Sequence, residues 1–362
     1  MSAKLNRMPV FLLALCLIAF PQGGCTTTKQ PKVTRAEIKA EKERAIISGF
    51  QTFRRRQAKL NDVAYPLLVA STGLTKKKKW SYGLLLDSLK QYKKKEKPLA
   101  EQAFPELTDE LTISHIIKGS PATTSGLKVG DVLKEYNGKK IKKISQLNKA
   151  LKHLRSDDHP GPGKFVVSRN GERIEVSIEP MRVARYEVNL HADQKVNAWA
   201  DGKSINFTYG IMRFTESNDE LALLIGHELA HNIEGHIGKA MLKTLATGVP
   251  IAILGAAATV LTGVDMGGAT KIAFKAAGAK YSRDHEREAD YVGTYIAARA
   301  GYNINGAADM WRRFSVEIPK DMKQAYDSSH PSSPERTVRM EKVIAEIIQK
   351  EASELPLLPE RR

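Results

Sequence analysis

Residues 220–236 read ELALLIGHELAHNIEGH. Leu221, Leu224, Ile225 and Leu229 recur at helical spacing, and Ser217, Asn218 and Asp219 stand ahead of them as cap candidates, with acidic residues in the first turn. The stretch predicts an amphipathic helix carrying His227-Glu228-Leu229-Ala230-His231. A spacing of i, i+4 turns both imidazoles to one face, within reach of one ion, and sets Glu228 beside that ion's open side. Holding a metal does not require Glu228. Moving a proton does.

Zinc takes a third protein donor and keeps a fourth position for water. The metzincin continuation is absent, because it needs Gly three residues after His231 and His six after it, where this chain has Glu234 and Ile237. His236 then reads as a polar residue near the helix end. A better donor lies in YSRDHEREAD, residues 281–290, where Glu286 and Asp290 are one helical turn apart and share a face. Glu286 is placed to bind the metal, and Asp290 to accept a hydrogen bond from a ligating imidazole.

Upstream, residues 112–139 read TISHIIKGSPATTSGLKVGDVLKEYNGK. Ile113 and Ile116 predict a strand, Gly119-Ser120-Pro121-Ala122 interrupts it, and Val132-Leu133 before Tyr136-Asn137-Gly138 predicts a strand and a tight turn. The order of these residues resembles a bacterial PDZ domain. Ser145 to Leu154 reads as an amphipathic helix with Leu147, Leu151 and Leu154 on one side. Two strands around Phe165 and Val176, joined at Asn170-Gly171, complete a hairpin. PDZ modules hold an extended peptide as an added strand and receive its C-terminal carboxylate on loop amides. The loop expected here is Trp80-Ser81-Tyr82-Gly83-Leu84, with Tyr82, Gly83 and Leu84 as the peptide-binding residues and Leu84–Leu86 as the edge strand.

The chain has 362 residues and a net charge of +17, and residues 1–110 hold 21 basic against 10 acidic side chains. Apolar residues make up 42% and charged residues 27%, enough to bury cores in about two domains. Only Cys16 and Cys25 occur, which excludes a disulfide framework and a Cys-ligated cluster in the folded part. Lys4 and Arg7 precede an apolar run from Val10 to Phe20, then Gly23-Gly24-Cys25, a lipoprotein-type signal peptide with Cys25 as the lipidation site. Gln22 departs from that pattern, and plain cleavage or an uncleaved anchor are the alternatives. Basic runs at Arg54–Arg56, Lys76–Lys79 and Lys93–Lys95 read as a solvated surface or as contacts to anionic headgroups, and export argues against nucleic acid. Thr244 to Val264 is uncharged and long enough for a bilayer. A single crossing there would part His227 and His231 from Glu286, so a buried or membrane-touching helix near the cleft is expected, with a re-entrant hairpin as the alternative.

The downstream half resembles the HtpX and CAAX-prenyl-endopeptidase type zinc peptidases, nearest to the exported branch that includes BepA and LoiP. The resemblance rests on His227-Glu-Leu-Ala-His231, Glu286-Arg-Glu-Ala-Asp290 with Gly293, His330-Pro331 with Arg336, and Asn197-Ala-Trp as an edge strand. It covers about 183–345 and implies Glu286, not Glu288, as third ligand beside His227 and His231, with one Zn2+ per chain and Glu228 as the catalytic base. It also implies that His330 lies near the metal and that Arg336 pairs with active-site carboxylates or supports its own helix.

The expectation is an α+β chain: signal peptide 1–25, basic polar linker or helix 26–60, PDZ-like domain 61–182, mostly helical gluzincin metallopeptidase domain with a small edge sheet 183–350, and tail 351–362. The resemblance implies an endopeptidase on the periplasmic side of the envelope, lipid-anchored with the outer membrane favoured, acting on unfolded or misassembled polypeptides whose C-termini enter the PDZ groove. The competing reading is a chaperone-like binding protein with little proteolysis.

Overall fold

The computed structural model describes residues 31–156, 158–246, 281–317 and 334–361. The signal-like segment with Cys25, residues 247–264 of the apolar run, and His330 lie outside the described residues. Among the described residues no helix is long and apolar enough to cross a membrane.

Helix α1 (Arg35–Ala70) opens the described chain. The Thr34 hydroxyl accepts from the Glu37 amide at 3.2 Å while the Glu37 carboxylate accepts from the Thr34 amide at 2.7 Å, a reciprocal cap. Further along, Leu60, Val63, Ala64, Leu67 and Leu68 form one apolar stripe, buried in the same core as the downstream helices. The boundary expected at 60/61 therefore falls inside a helix. Val63, Ala64, Leu67 and Leu68 pack into the downstream core, because an amphipathic stripe is buried by whatever apolar surface it meets, and local spacing does not name that surface.

Strands β1 (Lys78–Ser81) and β2 (Leu84–Asp87), helix α2 (Lys97–Ala103), strands β3 (Thr112–Ile116), β4 (Val132–Tyr136) and β5 (Lys139–Lys140), helix α3 (Ile144–Ala150) and strands β6 (Gly163–Arg169) and β7 (Glu172–Ile178) follow. The sheet runs β2-β3-β4-β6-β7, with β5 on β4, so β2 is an edge. The turns at Asn137-Gly138 (φ 48° and 74°) and Asn170-Gly171 (φ 52° and 87°) carry two positive φ angles each, matching the right-handed twist of the strands they join. Buried Asp131 accepts two bonds from Arg169, at 2.7 and 2.8 Å, and one from the Lys128 amide at 2.8 Å, tying the start of β4 to the end of β6. The expected carboxylate loop is shorter than its sequence suggests. Trp80 and Ser81 belong to β1, which pairs antiparallel with β8 (Met181–Ala184), and only Tyr82 and Gly83 turn into β2. Gly83 has φ 80°, and a Cβ there would overlap Ser120.

Strands β9 (Glu187–His191), β10 (Ala198–Ala200) and β11 (Ser204–Thr208) form a small sheet in the order β10-β11-β9, which puts Ala198 and Trp199 of the Asn197-Ala-Trp stretch on an edge strand. Helices α4 (Tyr209–Phe214), α5 (Asn218–Ile233), α6 (His236–Ala246), α7 (Arg283–Arg299), α8 (Ala307–Glu317) and α9 (Pro334–Ala352) make up the remainder. The architecture is α+β, a β-rich module followed by a mostly helical domain, as the sequence predicts. The expected single helix through His236 is instead two: α5 ends at Ile233, Gly235 takes φ 68°, and His236 begins α6. A residue with positive φ terminates a right-handed helix, and the chain turns there.

Helices α5 and α7 touch backbone to backbone. A Cβ on Gly293 would lie 2.6 Å from the His227 amide nitrogen, and one on Gly226 would overlap the Gly293 carbonyl. This crossing of two glycines brings the two motif-bearing helices together.

Candidate metal centre

The Ser217 hydroxyl accepts from the Glu220 amide and starts α5, whose residues from Leu221 to Asn232 are all buried. The i, i+4 pair then brings His227 Nε2 to 3.1 Å from His231 Nε2. From α7, Glu286 Oε1 stands 3.4 Å from His231 Nε2 and Oε2 stands 3.6 Å from His227 Nε2. Two imidazole nitrogens and one carboxylate oxygen thus lie within 4.8 Å of one another, all on buried residues. Glu228, fully buried on α5, is not one of the three converging groups.

The surrounding hydrogen bonds assign both tautomers. His227 Nδ1 donates to Asp290 Oδ1 at 2.9 Å. Asp290 in turn accepts two bonds from Arg336, at 2.8 and 2.7 Å, and the guanidinium lies 3.4 Å above the Trp311 ring. Arg336 is therefore paired to a carboxylate of the centre. On the other side, His236 Nε2 is 2.9 Å from Glu288 Oε2, and His236 Nδ1 is 3.0 Å from His231 Nδ1. A carboxylate accepts only, so His236 donates from Nε2 and accepts at Nδ1 from His231. Both ligand-type histidines are left with bare Nε2 atoms aimed at one point. That is the arrangement metal-binding imidazoles require.

The electrostatics favour positive charge at the centre. Burial pulls the His227 pKa down, but its hydrogen bonds to Asp290 and Glu286 outweigh it and raise it to about 9, so the carboxylates draw positive charge to this point and a proton competes with a metal ion for Nε2. Burial pushes Asp290 up, and Arg336 and His227 bring it below the usual carboxylate range. Burial holds His236 down at about 4, with His285 and Lys239 adding to it against Glu288, so that ring stays neutral. Tyr281 stacks on His231 with centroids 3.9 Å apart, and its phenol is pushed well above 10 by burial and then by the charges of Glu228 and Glu286.

Sequence spacing pointed to His227, His231, Glu286 and Asp290, and the family resemblance to Arg336; these converge. Spacing did not reveal the His236–Glu288 arm, the Trp311 platform or the Tyr281 stack, which come from three different helices and a connecting segment. A donor set of two imidazole nitrogens and one carboxylate suits zinc and metals of similar preference. His236→Ala is expected to weaken metal binding about 10- to 100-fold, because His231 loses the acceptor that orients it. Competition with a coloured chelator measures this, and an affinity within twofold of wild type would remove the arm from the centre.

Residues 167–344 match the model described as Peptidase family M48, and residues 96–179 match the PDZ domain. The two stretches overlap in β6 and β7, which the structure places in the PDZ sheet. Mitochondrial metalloendopeptidase OMA1 of Schizosaccharomyces pombe is 29% identical over 189 residues, covering 51% of this chain and 54% of that protein. Serine protease HTRA1 of Xenopus laevis is 33% identical over 113 residues, covering 31% and 23%. Metalloprotease LoiP of Escherichia coli is 24% identical over 151 residues, covering 42% and 59%. The chain spans about half the length of the first of these relatives.

Proposed function

Because the chain belongs to peptidase family M48 and carries a PDZ domain ahead of its peptidase domain, we propose that it is a zinc-dependent endopeptidase of the bacterial cell envelope, hydrolysing peptide bonds of misfolded or misassembled proteins. The observation that carries this reading is the convergence of His227, His231 and Glu286 on one buried point, beside a carboxylate that is not one of the three.

Zinc held by these three side chains would supply a Lewis acid and lower the pKa of a bound water from about 15.7 to about 7. The remaining chemistry belongs to the chain. Glu228 takes the proton from the attacking water and returns it to the leaving amine. Asp290, held by Arg336, and His236, held by Glu288, keep the two imidazoles in the tautomer that leaves Nε2 free. The dry surroundings of the site strengthen each of these interactions.

The signal-like first 25 residues support export and anchoring through Cys25. The PDZ groove, with Tyr82, Gly83 and Leu84 along its wall, supports capture of a polypeptide C-terminus. Unfolded or misassembled chains fit such a pair of sites, since only they offer an extended end and an extended scissile segment together.

The test is cleavage of unfolded casein by the full chain before and after chelation. Stripping the metal is expected to abolish turnover and one equivalent of zinc to restore it. A wild-type chain that holds its zinc and cleaves nothing, yet suppresses casein aggregation, would replace this reading with the binding-protein one.

A further inference from the structure

We infer that the groove beside β2 selects polypeptide ends that are acidic as well as apolar, and that α1 forms a third wall around them. This rests on the peptide-binding reading of the PDZ module and names the class of peptide it takes.

Strand β2 pairs with β3 on one side only, and its other side faces a cavity of about 1600 Å³. Leu147, Leu151 and Leu154 of α3 and the turn that continues it line the cavity opposite β2. The third side is α1, through Ile46, Gly49, Phe50 and Phe53. This wall is fastened in place. Arg54 pairs with Asp87 and with Glu106, each at 2.7 Å, and its guanidinium lies 3.1 Å from the Phe104 ring centroid. Nearer the other end of β2, Asp62 accepts from His115 at 2.7 Å and from the Lys118 amide at 2.9 Å. Gly49 sits in the interior of α1, where glycine weakens a helix relative to alanine. It lines the cavity, and a Cβ there would meet nothing within 4 Å. The missing side chain leaves room for a chain passing between α1 and β2.

The charges in the groove are unbalanced. Its acidic lining residues are Asp87, already paired with Arg54, and Glu187. Its basic ones include Lys79, Lys149, Lys152 and Arg155. Lys149, Lys152 and Arg155 recur every third residue through α3 and the following turn, making a row along that wall. Among the described residues none of these three has an ion-pair partner. A peptide added to β2 turns alternate side chains toward α3. There it meets leucines flanked by a basic row, so acidic residues just before an apolar C-terminus complement the wall.

The experiment uses the full chain with Glu228→Gln, so that probes are not cut, and reads fluorescence polarisation of labelled peptides ending in valine. Preceding residues are glutamate, glutamine or lysine in three otherwise identical probes. The acidic probe is expected to bind roughly tenfold tighter than the neutral one, with the gap narrowing at high salt. Lys149→Glu with Lys152→Glu is expected to abolish that preference. Gly49→Leu is expected to weaken all probes about tenfold without lowering Tm. Equal binding of the three probes, unmoved by the charge reversals, overturns the acidic selectivity while leaving peptide binding intact. Failure of every probe overturns the peptide-binding reading itself. A Gly49→Leu chain that binds like its parent removes α1 from the groove.

Discussion

Glu228→Gln is expected to keep its metal and lose about 10²- to 10⁴-fold in kcat on unfolded casein. Glutamine has the shape of glutamate but neither accepts a proton from water nor delivers one to an amine. The three converging groups are His227, His231 and Glu286, so the donor set is untouched. Glu228 is fully buried in a site that also holds Glu286 and Asp290, and removing one of three carboxylates relieves repulsion, so the fold is retained. Turnover and zinc content are measured on the same sample. Turnover equal to wild type, with zinc bound, would eliminate the proposed proton transfer. Loss of both together would instead make Glu228 part of the metal cage.

Gly293→Ala is expected to damage the centre from a distance. The added methyl would sit 2.6 Å from the His227 amide nitrogen and 2.7 Å from the Gly226 carbonyl carbon, and both belong to helix backbone that has no side-chain freedom to yield. Helices α5 and α7 must part, and the partners lost are those that span them: Glu286 to His227 and His231, and Asp290 to His227. Overpacking of this kind costs about 2 kcal/mol, or about 5 °C in Tm for a domain of this size. Metal affinity is expected to fall by about tenfold or more, since a ligand displaced by a fraction of an ångström no longer meets the other two. Calorimetry and chelator competition report the two effects. A variant with wild-type Tm and wild-type affinity would show that the close crossing does not set the site. Gly49→Ala, at a helix position where the new carbon meets nothing, is the matched control and is expected to be neutral or stabilising.

Much of both domains was legible from local pattern. The two Asn-Gly turns, the strands on either side of them and the serine cap of α5 appear where the sequence puts them. His227 and His231 share a face because a helix returns to the same side every 3.6 residues. The misreadings have one origin. The boundary at 60/61, the length of the loop before Leu84 and the continuity of the helix through His236 each depended on what a segment packs against or on one backbone angle.

By itself, then, the order of residues determined the pieces: which elements form, which side chains share a face, and which pentapeptide can offer two nitrogens to one ion. Hydrogen bonding within a helix or hairpin spans a few residues, so neighbours suffice to specify it. Only the tertiary structure decided that Glu286 meets those nitrogens, that Asp290 and Arg336 brace one ring while His236 and Glu288 brace the other, and that α1 closes the groove of one module while its end completes the core of the next. The pairings at the centre join residues between 5 and 109 positions apart, and each of them crosses between separate elements. What selects them is the fit of buried surfaces, above all the close passage of Gly226 by Gly293, which no local pattern encodes.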